Sequence, residues 1–139
     1  THVEVKVVLD TNVVVSGVFF GGPPREVIEA WLEGQLHIVI TPNILDEYLQ
    51  VCQRLGNRYP GTDFSPLLAE FVSRGSLVSD QEDDEAISTD PDDDKFMRCA
   101  FKAEATVVSG DRHLLDVDGW RGVRVLTPRS LLEVLPRLG

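Results

Sequence analysis

The sequence predicts an α/β fold, with a parallel sheet covered by helices on both faces. Three observations predict it. Short apolar runs alternate with longer segments of helical periodicity along the chain. Three of the helical segments open on a capping residue followed by proline: Thr41-Pro42, Asp90-Pro91 and Thr127-Pro128. The chain, at 139 residues, has the length of one domain and can bury a core without disulfides or structural metal.

Taken in order, Val5–Leu9 reads as a strand and Asp10 follows at its end. Gly21-Gly22-Pro23-Pro24 is a turn opening a helix to about Glu33, with Val27, Ile28 and Trp31 inward and Gly34 as the stop. His37–Ile40 is a second strand. A helix follows from Thr41-Pro42 to about Leu55, then a loop over 57–62. Phe64–Arg74 reads as a helix and Leu77-Val78 as a short strand. An acidic loop leads to a helix from Asp90-Pro91 to about Ala105. Thr106–Val108 is a fourth strand, ended by Ser109-Gly110-Asp111. Val123–Leu126 is a last strand, and Thr127-Pro128 starts a last helix through Leu135. No internal repeat or linker interrupts this order.

Composition is that of a globular protein, 42% hydrophobic and 26% charged. No apolar run nears the roughly 20 residues of a membrane helix. The first residues lack the basic-then-apolar pattern of a secretory signal, so a cytoplasmic location is expected. Cys52 and Cys99 fall in helical apolar patterns and read as buried thiols, and no Cys-His cluster offers a zinc site. The net charge of −10 is local in origin: residues 80–94 hold nine acids and no cation, and without them the chain is near balance. Of the thirteen Lys and Arg, ten are Arg, the better phosphate binder.

Two aspartates, Asp10 and Asp111, end the first and fourth strands, where open α/β sheets gather function. Taken singly, an Asp after a strand is more often a turn or capping residue. Glu47 shares a helix face with Ile44, Tyr48 and Val51, whereas Asp46 points more outward. A carboxylate on that face is costly without a partner, and an Arg or backbone donor at its edge would serve equally. On the helix from Pro91, Phe96, Met97, Ala100, Ala103 and Glu104 form one stripe with Asp93 near its centre. Asp92 and Asp94 lie roughly 80° and 120° off that centre. All three acids also suit a helix first turn. Four carboxylates meeting at one sheet edge would repel by about 4 kcal/mol per pair at 4 Å and an effective dielectric of 20. A bound divalent cation relieves that repulsion, and oxygen-only ligands favour Mg2+ or Mn2+ over zinc. Such a site suits phosphodiester hydrolysis.

Four segments then resemble the successive motifs of the PIN-domain family: Asp10-Thr11-Asn12-Val13 with Ser16; Thr41-Pro42 through Asp46-Glu47-Tyr48; Asp90-Pro91-Asp92-Asp93 with Phe96–Ala100; and Val108–Asp111 with Leu114-Leu115. The resemblance spans about Val5 to Leu126 and is similar to the VapC ribonucleases, toxin components of toxin–antitoxin systems. It implies one nuclease domain over 1–139, a three-layer α/β/α sandwich with about five parallel strands. It also implies an endoribonuclease with catalytic and metal-binding Asp10, Glu47, Asp93 and Asp111, holding Mg2+ or Mn2+. Asn12 and Ser109 would support them, with Asp94 the alternative to Asp93. RNA as substrate, a cognate antitoxin and a homodimer are the implied partners, with no membrane. The chain departs from the pattern in the acid triplet at 92–94, in His113, and in the acidic loop at 80–85.

Two other readings remain. A phosphatase of the haloacid-dehalogenase type would use Asp10 as nucleophile, but wants an acid where Asn12 stands. A PIN-like scaffold would bind RNA or protein without catalysis. No Gly-x-Ser-x-Gly turn or phosphate-binding P-loop is present.

Overall fold

A computed structural model describes residues 5–82 and 85–135. The N-terminal residues read above for a leader, and Asp83-Asp84 of the acidic loop, lie outside the described residues. Five strands form one parallel sheet: β1 (Lys6–Leu9), β2 (His37–Ile40), β3 (Ser76–Leu77), β4 (Thr106–Val108) and β5 (Val125–Leu126), in the order β3-β2-β1-β4-β5. β1 lies at the centre, with Val7 paired to Ile38 on one side and Thr106 on the other. Val7, Val8 and Leu9 are fully buried. A strand covered on both faces has no reason to alternate, which explains its unbroken apolar run.

Seven helices cover the sheet: α1 (Thr11–Phe19), α2 (Pro23–Leu32), α3 (Pro42–Arg58), α4 (Ser65–Arg74), α5 (Asp94–Ala103), α6 (Arg112–Leu115) and α7 (Pro128–Val134). The chain steps from β1 to β2 to β3 in one direction, then returns past both to β4. With the right-handed crossovers usual for parallel strands, this reversal sends α5 to the face opposite α1, α2 and α3; α1 packs on α2 and α3, and α5 lies across β1, β2 and β4. Chains leaving β1 and β4 therefore diverge, and a crevice opens between their carboxyl ends. None of the described helices is long and apolar enough to cross a membrane.

The sequence reading missed α1. Val13-Val14-Val15 favours a strand by intrinsic preference. Tertiary burial overrides it, because Val13, Val14 and Val15 all enter the core and Asp10 caps the helix start. Gly17 allows α1 to meet α2 closely; a Cβ there would stand 2.5 Å from Ile28 Cδ1.

The expected helix from Asp90 divides. Pro91–Asp93 is a 3-10 turn, α5 proper starts at Asp94, and Glu104 ends it at φ 55°. Glu104 is exposed, not part of the buried stripe. The last strand is shorter than expected, because Trp120–Gly122 forms a 3-10 turn before it. On α3 the inward residues are Ile44, Tyr48 and Cys52, with Val51 only half-buried. Both thiols are free and buried, as expected.

One contact sets the site's geometry from within the core. Tyr48 is fully buried, packs against Phe71 at 5.2 Å, and donates its hydroxyl hydrogen to the Leu9 carbonyl. Because Glu47 precedes Tyr48 and Asp10 follows Leu9, this bond fixes α3 against the end of β1 and positions the two acids together.

Candidate acidic site

Asp10 leaves β1 at the crevice and is only 3% exposed. Its Oδ2 accepts from the Ser109 hydroxyl at 2.7 Å, and its Oδ1 from the Asn12 backbone N–H at 3.4 Å. Burial pushes its pKa up; the Ser109 and Asn12 bonds oppose the rise, and the charges of Asp111 and Glu47 add to it. Fully buried Ser109 joins the two strand ends. Its N–H donates to Leu126, its hydroxyl to Asp10, and its Oγ accepts the Asp111 N–H at 2.9 Å. Asp111 in turn accepts from the His113 N–H at 2.8 Å and caps α6.

Glu47 reaches the same edge from α3. One oxygen accepts the Thr11 hydroxyl; the other pairs with Lys95 at 2.7 Å. The Lys95 ammonium also donates to the Asp92 carbonyl at 2.7 Å. Sequence reasoning had found neither Thr11 nor Lys95 as a partner. A signal for Lys95 existed: it is a cation in the first turn of a helix, where the macrodipole disfavours positive charge. Its placement makes sense once the carboxylates beside it are known.

Asp93 and Asp94 part company. The Asp93 carboxyl is pushed up to about 6, first by burial and then by the charges of Asp10, Asp111 and Asp90, with Lys95 pulling the other way. Its Oδ2 is buried and has no hydrogen-bond partner. Asp94, expected to point outward on the first turn, is 2% exposed. It accepts from Ser88 N–H at 2.9 Å, Ser88 hydroxyl at 2.7 Å and Ile87 N–H at 3.1 Å, with Arg98 at 3.9 Å. The change from 3-10 to α winding at this residue alters the azimuth that a continuous helix would give it.

Asn12, the second residue of α1, is exposed and serves Asp10 through its backbone. His113 holds the Thr89 hydroxyl at 2.6 Å, joining the turn after β4 to the segment before α5.

Asp10, Glu47, Asp93 and Asp111 thus arrive from four separate elements, and each of the others except Glu47 bears on the charge of Asp93. Among the described residues no three His, Cys, Asp or Glu side chains form a ready-made ligating cage. The fit of a cation rests on other ground. The donors are all oxygens, two of the acids are driven toward protonation by burial and then by neighbouring carboxylates, and a buried carboxylate oxygen is unanswered. A hard divalent ion such as Mg2+ or Mn2+ meets all three conditions.

Known proteins bear on this arrangement in two ways. Residues 6–113 match the family model of the PIN domain. An uncharacterized protein of Methanocaldococcus jannaschii is 27% identical over 122 residues, which cover 83% of this chain and 76% of that protein.

Proposed function

Because this chain belongs to the PIN domain family, a family of nuclease-type domains, we propose that it is a metal-dependent endoribonuclease working at Asp10, Glu47, Asp93 and Asp111. The observation that carries this reading is Asp93: a buried carboxylate oxygen without a donor, on a group whose charge is disfavoured by burial and by Asp10, Asp111 and Asp90. Leaving such a group unpaired costs about 1–3 kcal/mol or more. A fold keeps that cost where a ligand is meant to relieve it.

Asp10, Asp93 and Asp111 would hold Mg2+ or Mn2+, with Asp94 excluded by its three donors from the loop. When bound, the ion supplies Lewis-acid polarisation of the phosphate and a lowered pKa for water. Ser109 aims Asp10 by occupying one lone pair of Oδ2, leaving the rest of the carboxylate for the crevice. Glu47, restrained by Thr11 and Lys95, would orient and deprotonate the attacking water. Tyr48 keeps Glu47 in register with Asp10.

The finer reading is that cleavage belongs to the toxin of a toxin–antitoxin pair, acting as a homodimer and silenced by a cognate antitoxin in the cytoplasm. Its support is the four-motif resemblance to VapC ribonucleases.

The test is cleavage of a broad RNA pool by purified protein with Mg2+ or Mn2+, with chelator, and with Asp10→Asn. Cleavage that needs the metal and disappears in the variant is expected. No cleavage with either ion, or equal cleavage by Asp10→Asn, overturns the reading.

A further inference from the structure

Beside the acidic crevice lies a cleft of about 430 Å3, bounded by the starts of α1, α2 and α7. Asn12 and Asp111 belong to both the cleft and the acidic site, so the two are continuous. Its apolar walls are Val13, Pro23, Pro24 and Pro128. Prolines offer flat, rigid surface with little entropy to lose on contact. Its polar lining residues are Asn12, Ser16, Thr127 and Arg129, with Asp111 at the edge shared with the acidic site. Among the described residues the Arg129 side chain has no hydrogen bond or ion pair, although the protein carries a net charge of −10. A cation that ignores so many available acids and lines a cleft next to them is placed for an outside anion.

We propose that this cleft takes one unpaired nucleotide of single-stranded RNA next to the scissile phosphate, its base against the proline walls and its distal phosphate on Arg129. The volume falls in the range of about 300–1,000 Å3 typical of small-ligand sites and holds a single nucleoside. Apolar walls with a few polar groups suit a base edge and face. Arg supplies the bidentate contact a phosphate prefers. A base stacked and paired in a duplex cannot enter, so the cleft selects unpaired RNA.

This inference rests on the nuclease reading for its register, and the test separates the two. Cleavage of a single-stranded 12-nucleotide RNA is compared with the same strand in a duplex, and with strands made abasic at one position at a time. Arg129 is exposed and makes no hydrogen bond or ion pair among the described residues, so Arg129→Ala is expected to fold normally. The single strand should be cut at least tenfold faster than the duplex, and one abasic position beside the cut should lower kcat/KM about tenfold. Arg129→Ala should raise KM about tenfold, more than it lowers kcat, and lessen the salt dependence by about one ion in the log–log slope. Arg129→Lys should restore part of the loss. Equal cutting of duplex and single strand, or a KM indifferent to Arg129, overturns the cleft while leaving the nuclease standing. Should no RNA be cut at all, anisotropy binding of the same 12-nucleotide strand reads the cleft alone; equal affinity of the wild type and Arg129→Ala overturns it.

Discussion

Asp93 and Asp94 are adjacent, chemically identical and both drawn into the protein, yet their surroundings are opposite. Asp94 is met by two backbone N–H groups, a hydroxyl and a nearby guanidinium, and it holds the 87–88 segment against α5. Asp93 meets other carboxylates and keeps one buried oxygen without a donor. A carboxylate that holds a fold together is surrounded by donors. On the proposed reading, one that awaits a ligand is surrounded by its own kind. Burial alone would rank Asp94 as the more important of the two; the supply of donors reverses that order for chemistry.

The comparison breaks most visibly in activity. Asp93→Asn should lower metal-dependent RNA cleavage by at least about a thousandfold, since it removes charge where, on the proposed reading, cation and phosphate would meet. Circular dichroism should show an unchanged fold. A variant that retains a tenth of wild-type rate would mean that Asp93 is not a ligand. Asp94→Ala should show the reverse pattern. Stability should fall by about 2–3 kcal/mol in urea unfolding, because Ile87 and Ser88 lose their acceptor. The fraction that remains folded should still bind metal. If Asp94→Ala loses metal binding at full stability, the roles assigned to the pair are exchanged.

The same contrast has a signature in pH. Asp93 titrates near 6 in the folded protein against 3.8 for an unperturbed carboxyl, and Asp10 is raised as well. The folded state therefore holds protons that the unfolded state has released. Their stabilising contribution is fully present below about pH 4 and is lost as pH rises through 6. Metal-free protein should consequently be more stable at pH 5 than at pH 7. Asp93 is only part-buried, so solvent screening limits the difference to about 1 kcal/mol. Asp118, lowered by the Val125 N–H and helped by Arg124, acts only at lower pH and does not mask the trend. Differential scanning calorimetry in chelator should show the drop, and Asp93→Asn should remove most of it. Saturating Mn2+ should raise the pH 7 midpoint of the wild type and leave that of Asp93→Asn unchanged. A metal-free midpoint that rises from pH 5 to pH 7 would contradict the repulsion inferred among these acids.

The sequence carried the sheet and the anchors of the site, because both depend on local pattern. Val5–Leu9 could be read as a buried strand from composition, and Thr41-Pro42 as a helix start from capping chemistry. Asp10 and Asp111 were legible because strand ends are marked by the apolar runs before them. What stayed hidden depends on distant contacts. Val13–Val15 is helical only because the core on that side requires it. Glu104 leaves the buried stripe because α5 ends one residue earlier in a left-handed turn. The donors to Asp94 lie six and seven residues upstream, in a segment without periodicity. Lys95 meets Glu47 across 48 residues, and Tyr48 meets Leu9 across 39, so neither pairing has a local signature.

Lys95 offers the smallest and most discriminating effect. It is the cation that moderates Asp93 and restrains Glu47, and both partners of its ion pair are partly exposed. Pairs of that kind contribute roughly 0–1 kcal/mol. Lys95→Ala should therefore change stability little. Its effect should appear in the balance between repulsion and metal. With one positive charge gone, the acids repel more and a divalent ion relieves more, so apparent metal affinity should tighten severalfold. Glu47, released from its restraint, should orient water less well, and kcat at saturating metal should fall about two- to fivefold. Isothermal titration with Mn2+ and cleavage rates across a metal series read the two effects separately. A Lys95→Ala protein that binds metal more weakly would place the ammonium among the groups that support the ion, and would remove it as the counter-charge of the metal-free site.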